Sequence, residues 1–160
     1  MKILMVCLGN ICRSPLMEGV LKHKLAANNL NAHVDSAGTG SWHIGKLPDL
    51  RSIHVAKEHG IDITDQRARQ IQADDLDLFD KIYVADRDVY ESVLSLSNNA
   101  EAHRHKVDFI MNVVEPDSDR PVPDPYFGGP DGFEHVFQMI DEACERIVSD
   151  IEKSQTSQRS

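Results

Sequence analysis

The sequence predicts an α/β fold, a single three-layer domain with a central four-stranded parallel sheet flanked by helices. Three observations point there. Short apolar runs at 2–7, 33–37, 80–85 and 106–110 alternate with stretches whose apolar residues recur every three or four positions. The first run, KILMVC, is apolar at consecutive positions, as a strand covered on both faces would be. The length of 160 residues suits one compact domain with its own core.

Each element follows in order. After the first strand, Ser14 is placed to cap a helix and Pro15 suits its first position. Leu16, Met17, Val20, Leu21 and Leu25 share one face of that helix, and Asn28, Asn29 and Asn31 mark its end. HVDSA is the second strand, followed by the loop GTGSWHIGKLPD. A helix from near Pro48 to Gly60 carries Ile53, Val55 and Ala56. DKIYVA is the third strand, with a helix from Asp86 to Leu96, and KVDFI is the weaker fourth strand. A proline-rich loop, DRPVPDPYFGGPDG, leads to the clearest helix. There Phe133, Val136, Phe137, Ile140, Cys144, Ile147, Val148 and Ile151 fall at spacings of three and four. With no internal repeat or linker, residues 1–153 read as one domain and 154–160 as a flexible, polar C-terminal tail.

Composition narrows the function. A net charge of −9 argues against nucleic-acid partners, which require a basic face. Three cysteines, Cys7, Cys12 and Cys144, are too few and odd in number for a disulfide framework, which points to a reducing compartment. No signal-peptide pattern and no membrane-length apolar run is present, so the expectation is a cytoplasmic monomer without membrane partners.

The chemistry concentrates in VCLGNICRSP, residues 6–15. Ligands of open α/β sheets bind outside the carboxyl ends of the strands, where the loop between Cys7 and the next helix would lie. Backbone N–H groups of Leu8, Gly9, Asn10, Ile11 and Cys12, turned inward beside a helix N-terminus, would cradle an anion. Gly9 permits positive φ and Asn10 tolerates it. Arg13 can fork onto two anion oxygens. Such surroundings favour thiolate at Cys7, a nucleophile held beneath a tetrahedral anion. Taken alone, Cys7 would read as a buried structural cysteine, the common fate of a lone cysteine on an apolar strand. The pattern is specific because it spans a strand end and a helix start.

VCLGNICRSP resembles the opening motif of the low-molecular-weight protein tyrosine phosphatases. VDSAGT (34–39), GSWHIGKLPD (40–49), RARQI (67–71) and DPYFGG (124–129) follow in family order, so the resemblance covers residues 1–153. It implies Cys7 as nucleophile, Arg13 as the residue holding the phosphoryl oxygens, and Ser14 as a hydrogen-bond donor to the sulfur. It further implies that Asn10, helped by Ser36, holds the loop in shape, and that Asp124 is the general acid. The residues themselves do not choose Asp124 over Asp117 or Asp119, although Pro123 and Pro125 stiffen its loop. Trp42 and Tyr126 are candidate walls for an aryl ring.

Two departures from the family pattern stand out. Phe127 replaces the second of two consecutive tyrosines found in many members. Gln66 stands where members often carry a histidine that supports the loop asparagine. The resemblance also implies that Cys12 can form a reversible disulfide with Cys7, protecting it from over-oxidation. Cys144, on the apolar stripe of the last helix, reads as core.

The function these features imply is phosphotyrosine, or aryl phosphate monoester, hydrolysis through a cysteinyl-phosphate. Tyrosine-phosphorylated proteins would be substrates, and inorganic phosphate or similar oxyanions products or inhibitors. Rates should fall when Cys7 is protonated or Asp124 deprotonated, giving a bell-shaped, acid-shifted pH profile. No cofactor or metal is needed. His103 and His105 lack partners at ligand spacing and read as solvated loop residues. GSWHIGKL ends in Leu47 rather than Ser or Thr, so it lacks the Mg²⁺ ligand of a nucleotide-binding loop. Arginine phosphatases share the anion loop but often carry threonine in place of Ile11. Arsenate reductases relay oxidation through mid-chain cysteines, which this chain lacks between Cys12 and Cys144. A non-catalytic phosphate-binding module would need neither Cys7 nor Asp124.

Overall fold

The computed structural model describes residues 1–126 and 130–159. Four parallel strands, β1 (Lys2–Cys7), β2 (His33–Gly38), β3 (Lys81–Val84) and β4 (Val107–Phe109), form one sheet in the order β2-β1-β3-β4. Helices α1 (Arg13–Ala27), α2 (Leu50–Glu58), α4 (Arg87–Ser95) and α6 (Pro130–Arg159) match the four expected from periodicity. Single turns α3 (Asp75–Leu78) and α5 (Ala100–His103), with 3-10 turns at Arg104–Lys106 and Ile110–Val113, were not anticipated, because one turn shows no helical period.

Alternation along β1 explains its unbroken apolar sequence. Ile3, Met5 and Cys7 enter a core shared with α1, α2 and α6, whereas Leu4 and Val6 enter a second core beneath α3 and α4. The predicted stripe of α6 is buried along its length, Cys144 included. Its backbone stays helical to Arg159, across the stretch expected to be tail.

Two local expectations need correction. Ser14 is not the N-cap of α1. Cys12 holds that position without a side-chain cap, because the Ser14 hydroxyl is engaged with Asn10 and Cys7. Every residue of α1 from Arg13 to Leu21 is buried, so its first half is covered on all sides rather than along one stripe.

From β1 the chain moves outward to β2, then returns past β1 to β3. The sense of winding therefore reverses between β1 and β3. The loops after these two strands emerge side by side, bringing residues 8–13 next to Asp86. Among the described residues no helix is long and apolar enough to cross a membrane.

Candidate active site

Between the end of β1 and the start of α1, five residues, Leu8 to Cys12, curl over the sheet. Asn10 sets their shape. It takes the left-handed conformation, φ 57°, which Asn tolerates better than other residues bearing a Cβ. Its backbone N–H points at Cys7 Sγ, 3.3 Å away. Its Nδ2 donates to Ser14 Oγ at 2.7 Å and to Ser36 Oγ at 3.0 Å, and its Oδ1 accepts the Arg69 backbone N–H at 3.0 Å. Ser14 Oγ lies 3.1 Å from Cys7 Sγ.

Gly9 does not use the positive φ open to it. Its smallness matters instead, because a Cβ there would stand 3.1 Å from His43 Cδ2. Gly38 is more restrictive. A Cβ would meet Leu8 O at 2.8 Å and Asn10 N at 3.0 Å, so β2 must end in glycine for the loop to lie against it.

Behind the loop runs a second layer of bonds. Ser36 Oγ donates to Glu18 Oε1 at 2.7 Å, and Glu18, only 5% exposed, is paired with Lys22 at 2.6 Å. Gln66 does not reach Asn10. Its Nε2 donates to the Pro15 carbonyl at 3.0 Å, and its buried Oε1 lacks a hydrogen-bond partner among the described residues. The Arg69 backbone meets Asn10 instead, in a segment fixed by the bidentate bonds of the Arg69 guanidinium to Asp75.

Arg13 is buried, 3% exposed. Its Nη1 donates to Asp86 Oδ2 at 2.6 Å and to the Val122 carbonyl at 3.0 Å, and its Nη2 stands 3.8 Å from Asp124. Burial works against its charge, yet the neighbouring Cys7, Asp86 and Asp124 outweigh it, so the guanidinium is held more firmly protonated than usual. Asp86 also caps α4 through Val89 N. Sequence reasoning assigned Asp86 only to a helix start. Its place at the strand end beside the winding reversal was the signal available.

Cys7, Arg13 and Asp124 line one cavity of about 190 Å³. Leu8, Gly9, Ile11 and Cys12 complete its base, and Trp42, His43 and Tyr126 its sides. Asn10, within the loop, and Ser14 and Ser36, bonded to its side chain, do not line the cavity. Trp42 is 66% exposed and folds back over Gly40, where a Cβ would collide with its ring. Phe127 lies outside the described residues. His43 was not singled out from sequence. Nor was Arg51, which is held by Asp49, donates to the Tyr126 carbonyl at 2.9 Å and lies over the Tyr126 and Phe133 rings.

The three cysteines are free thiols. Burial, with Asp49 nearby, pushes the Cys12 thiol up from 9.0 to about 12. His103 is not the solvated loop residue expected. It is buried, with Ser97 Oγ at 2.7 Å and Asp77 Oδ1 at 2.6 Å. Among the described residues no cluster of three or more His, Cys, Asp or Glu could hold a metal ion.

Comparison with known proteins places this geometry. A family model described as low molecular weight phosphotyrosine protein phosphatase matches residues 2–157. The low molecular weight protein-tyrosine-phosphatase YfkJ of Bacillus subtilis is 37% identical over 94% of this chain and 96% of its own. The crystal structure of a protein tyrosine phosphatase from Entamoeba histolytica, with Hepes in its active site, superposes with a TM-score of 0.89. It is 35% identical, over 97% of this chain and 99% of that one. The Drosophila arginine phosphatase DARP is 34% identical, with a TM-score of 0.86, over 94% of this chain and 97% of its own. A match across nearly the whole sequence, joined to this likeness of fold, establishes that the chain belongs to the low molecular weight phosphotyrosine protein phosphatase family, a family of hydrolases.

Proposed function

We propose that the protein hydrolyses phosphotyrosine in proteins through a cysteinyl-phosphate, with Cys7 as nucleophile and Asp124 as general acid and base. The observation that carries this reading is the convergence of Cys7, Arg13 and Asp124 on one small cavity walled by Trp42 and Tyr126. In the first step Cys7 sulfur bonds to phosphorus, the P–O bond to the ring breaks, and Asp124 protonates the departing phenol oxygen. In the second, water bonds to phosphorus, the S–P bond breaks, and the proton of the water passes to Asp124. Arg13 and the inward N–H groups of the loop stabilise the equatorial oxygens throughout. Ser14, 3.1 Å from Cys7 Sγ, donates to the sulfur as it departs with the bonding pair. The protein acts as a monomer in a reducing cytoplasm, and a reversible Cys7–Cys12 disulfide shields the nucleophile under oxidation.

Dephosphorylation of arginine is the second reading, favoured by the 34% identity to the Drosophila arginine phosphatase. Ile11 in the cavity lining favours an aryl group, which buries more apolar surface there than a guanidino group does.

The test is phosphate release from a phosphotyrosine peptide and a phosphoarginine peptide by wild type, Cys7→Ser and Asp124→Asn. Turnover of the tyrosine peptide is expected to vanish in Cys7→Ser. In Asp124→Asn it should fall by about 10²–10⁴-fold. The fall should be smaller on p-nitrophenyl phosphate, whose leaving group needs less help from a proton. Faster turnover of phosphoarginine would replace this reading with the second.

A further inference from the structure

Nine large apolar side chains are exposed among the described residues, and six of them belong to the segments that frame the cavity: Leu8, Trp42, Ile44, Leu47, Leu50 and Tyr126. Exposed apolar groups gathered in one region mark a contact surface, whereas scattered ones need no explanation. Backbone bonds place the three that do not line the cavity. Ile44 follows His43, whose ring packs against Gly9, and its neighbours Gly45 and Lys46 are tied to Ala68. Leu47 lies two residues before Asp49, whose N–H donates to the Ile11 carbonyl at 2.8 Å. Leu50 precedes Arg51, which holds the Tyr126 carbonyl. Their exposures are 57% for Ile44, 45% for Leu47 and 78% for Leu50.

We infer that this apolar collar selects phosphotyrosine flanked by bulky apolar residues in a polypeptide. The inference rests on the tyrosine-phosphatase reading above and narrows its substrate class. A ring held between Trp42 and Tyr126 with its phosphate over Cys7 leaves the rest of the substrate emerging at the mouth. A polypeptide joined to the ring is long enough to run from the cavity onto the adjoining 44–50 segment, so the occupant assigned to this surface is the substrate's own chain. A small phosphate ester ends before Ile44, Leu47 and Leu50. Charge argues in the same direction. Arg51 is committed to Asp49 and the Tyr126 carbonyl, leaving Lys46 as the other cation of the 40–51 segment. With Asp49 and Arg51 neutralising each other, a chain of net charge −9 offers an acidic flank little attraction there.

The experiment compares two phosphotyrosine peptides of equal length, one flanked by leucine and isoleucine and one by glutamate, with p-nitrophenyl phosphate alongside. Enzymes are the wild type and the triple variant Ile44→Ser, Leu47→Ser, Leu50→Ser, whose substituted side chains are all solvent-exposed. Wild type is expected to favour the apolar peptide by roughly tenfold in kcat/KM, the scale of one partly buried leucine at an open rim. The triple variant should bring that ratio close to one while leaving p-nitrophenyl phosphate turnover unchanged. Turnover of p-nitrophenyl phosphate by a wild type that shows no apolar preference overturns the inference alone. So does a preference that survives the triple substitution. Absence of turnover on every substrate overturns the tyrosine-phosphatase reading and the inference with it. Sedimentation velocity covers the other occupant. A wild-type dimer that the triple variant dissociates, without any peptide preference, would assign the collar to a second copy of the chain and overturn the inference.

Discussion

Asp86→Asn separates the orientation of Arg13 from its presence. Asp86 uses both carboxylate oxygens, Oδ2 for Arg13 Nη1 at 2.6 Å and Oδ1 for the Val89 N–H that opens α4. An asparagine can keep the cap only by turning its NH₂ toward the guanidinium, donor against donor. Breaking a fully buried ion pair costs about 3–5 kcal/mol. Asp86 is 27% exposed and Arg13 keeps the Val122 carbonyl, so a loss of roughly 1–2 kcal/mol in stability is expected. The effect on rate should be larger than the effect on folding. A guanidinium displaced by about 1 Å from its productive position lowers kcat/KM by up to about 10²-fold. The assay is initial-rate kinetics on a phosphotyrosine peptide, with urea unfolding measured on the same samples. Asp86→Ser, which retains a cap but no group that reaches Arg13, should behave similarly. Asp119→Asn, which breaks only an exposed pair with Arg87, should leave the rate unchanged. A folded Asp86→Asn enzyme within about twofold of wild type would refute the reasoning.

Other outcomes follow from the same geometry. Gly38→Ala pushes a Cβ against Leu8 O and Asn10 N, so it should cost about 1–3 kcal/mol by urea unfolding and most of the activity. Lys22→Met leaves the buried Glu18 carboxylate without its cation; a loss of about 1 kcal/mol is expected, allowing for the exposure of Lys22, and Glu18→Gln in the same chain should recover it. Arg51→Gln releases the Tyr126 carbonyl, so kcat should fall several-fold on a poor leaving group and less on p-nitrophenyl phosphate. Burial raises the Cys12 thiol from 9.0 to about 12 and also pushes Cys144 and Tyr83 upward, so these groups lose their protons first in the unfolded chain. Stability is therefore complete below about pH 9 and falls as the pH climbs toward about 12, by up to about 1.4 kcal/mol per pH unit for each group. Urea midpoints across that range check it, and a flat profile would contradict the burial of these groups.

Much of the fold was legible because its signals are local. The β1 run, the stripe of α6 and the helix beginning at Asp86 each announce themselves within a few residues. The single turns α3 and α5 do not, since one turn carries no period. The cavity lining was legible where its residues are close in sequence, between Cys7 and Arg13, Asn10 excepted. Asp124, Trp42 and Tyr126 depended on the order of motifs along the chain. What stayed hidden is what only folding brings together. Asp86 meets Arg13 across 73 positions, and the Arg69 backbone meets Asn10 across 59. Glu18, on α1, gave no sign of burial, because its partner Ser36 lies on β2, 18 positions away. Ser14 shows the reverse error: its type and position fit an N-cap, but a tertiary contact with Cys7 and Asn10 claims the hydroxyl first.

The most direct test of the central claim is to trap the phosphorylated enzyme. Asp124→Asn, mixed with p-nitrophenyl phosphate and quenched in acid within milliseconds, would be digested and its peptides sequenced by mass spectrometry. One phosphoryl group on the sulfur of Cys7, formed as fast as the burst of nitrophenol and absent from Cys7→Ser, is the predicted result. A folded, active enzyme that releases nitrophenol with no burst and no phosphoryl group on Cys7 would contradict it.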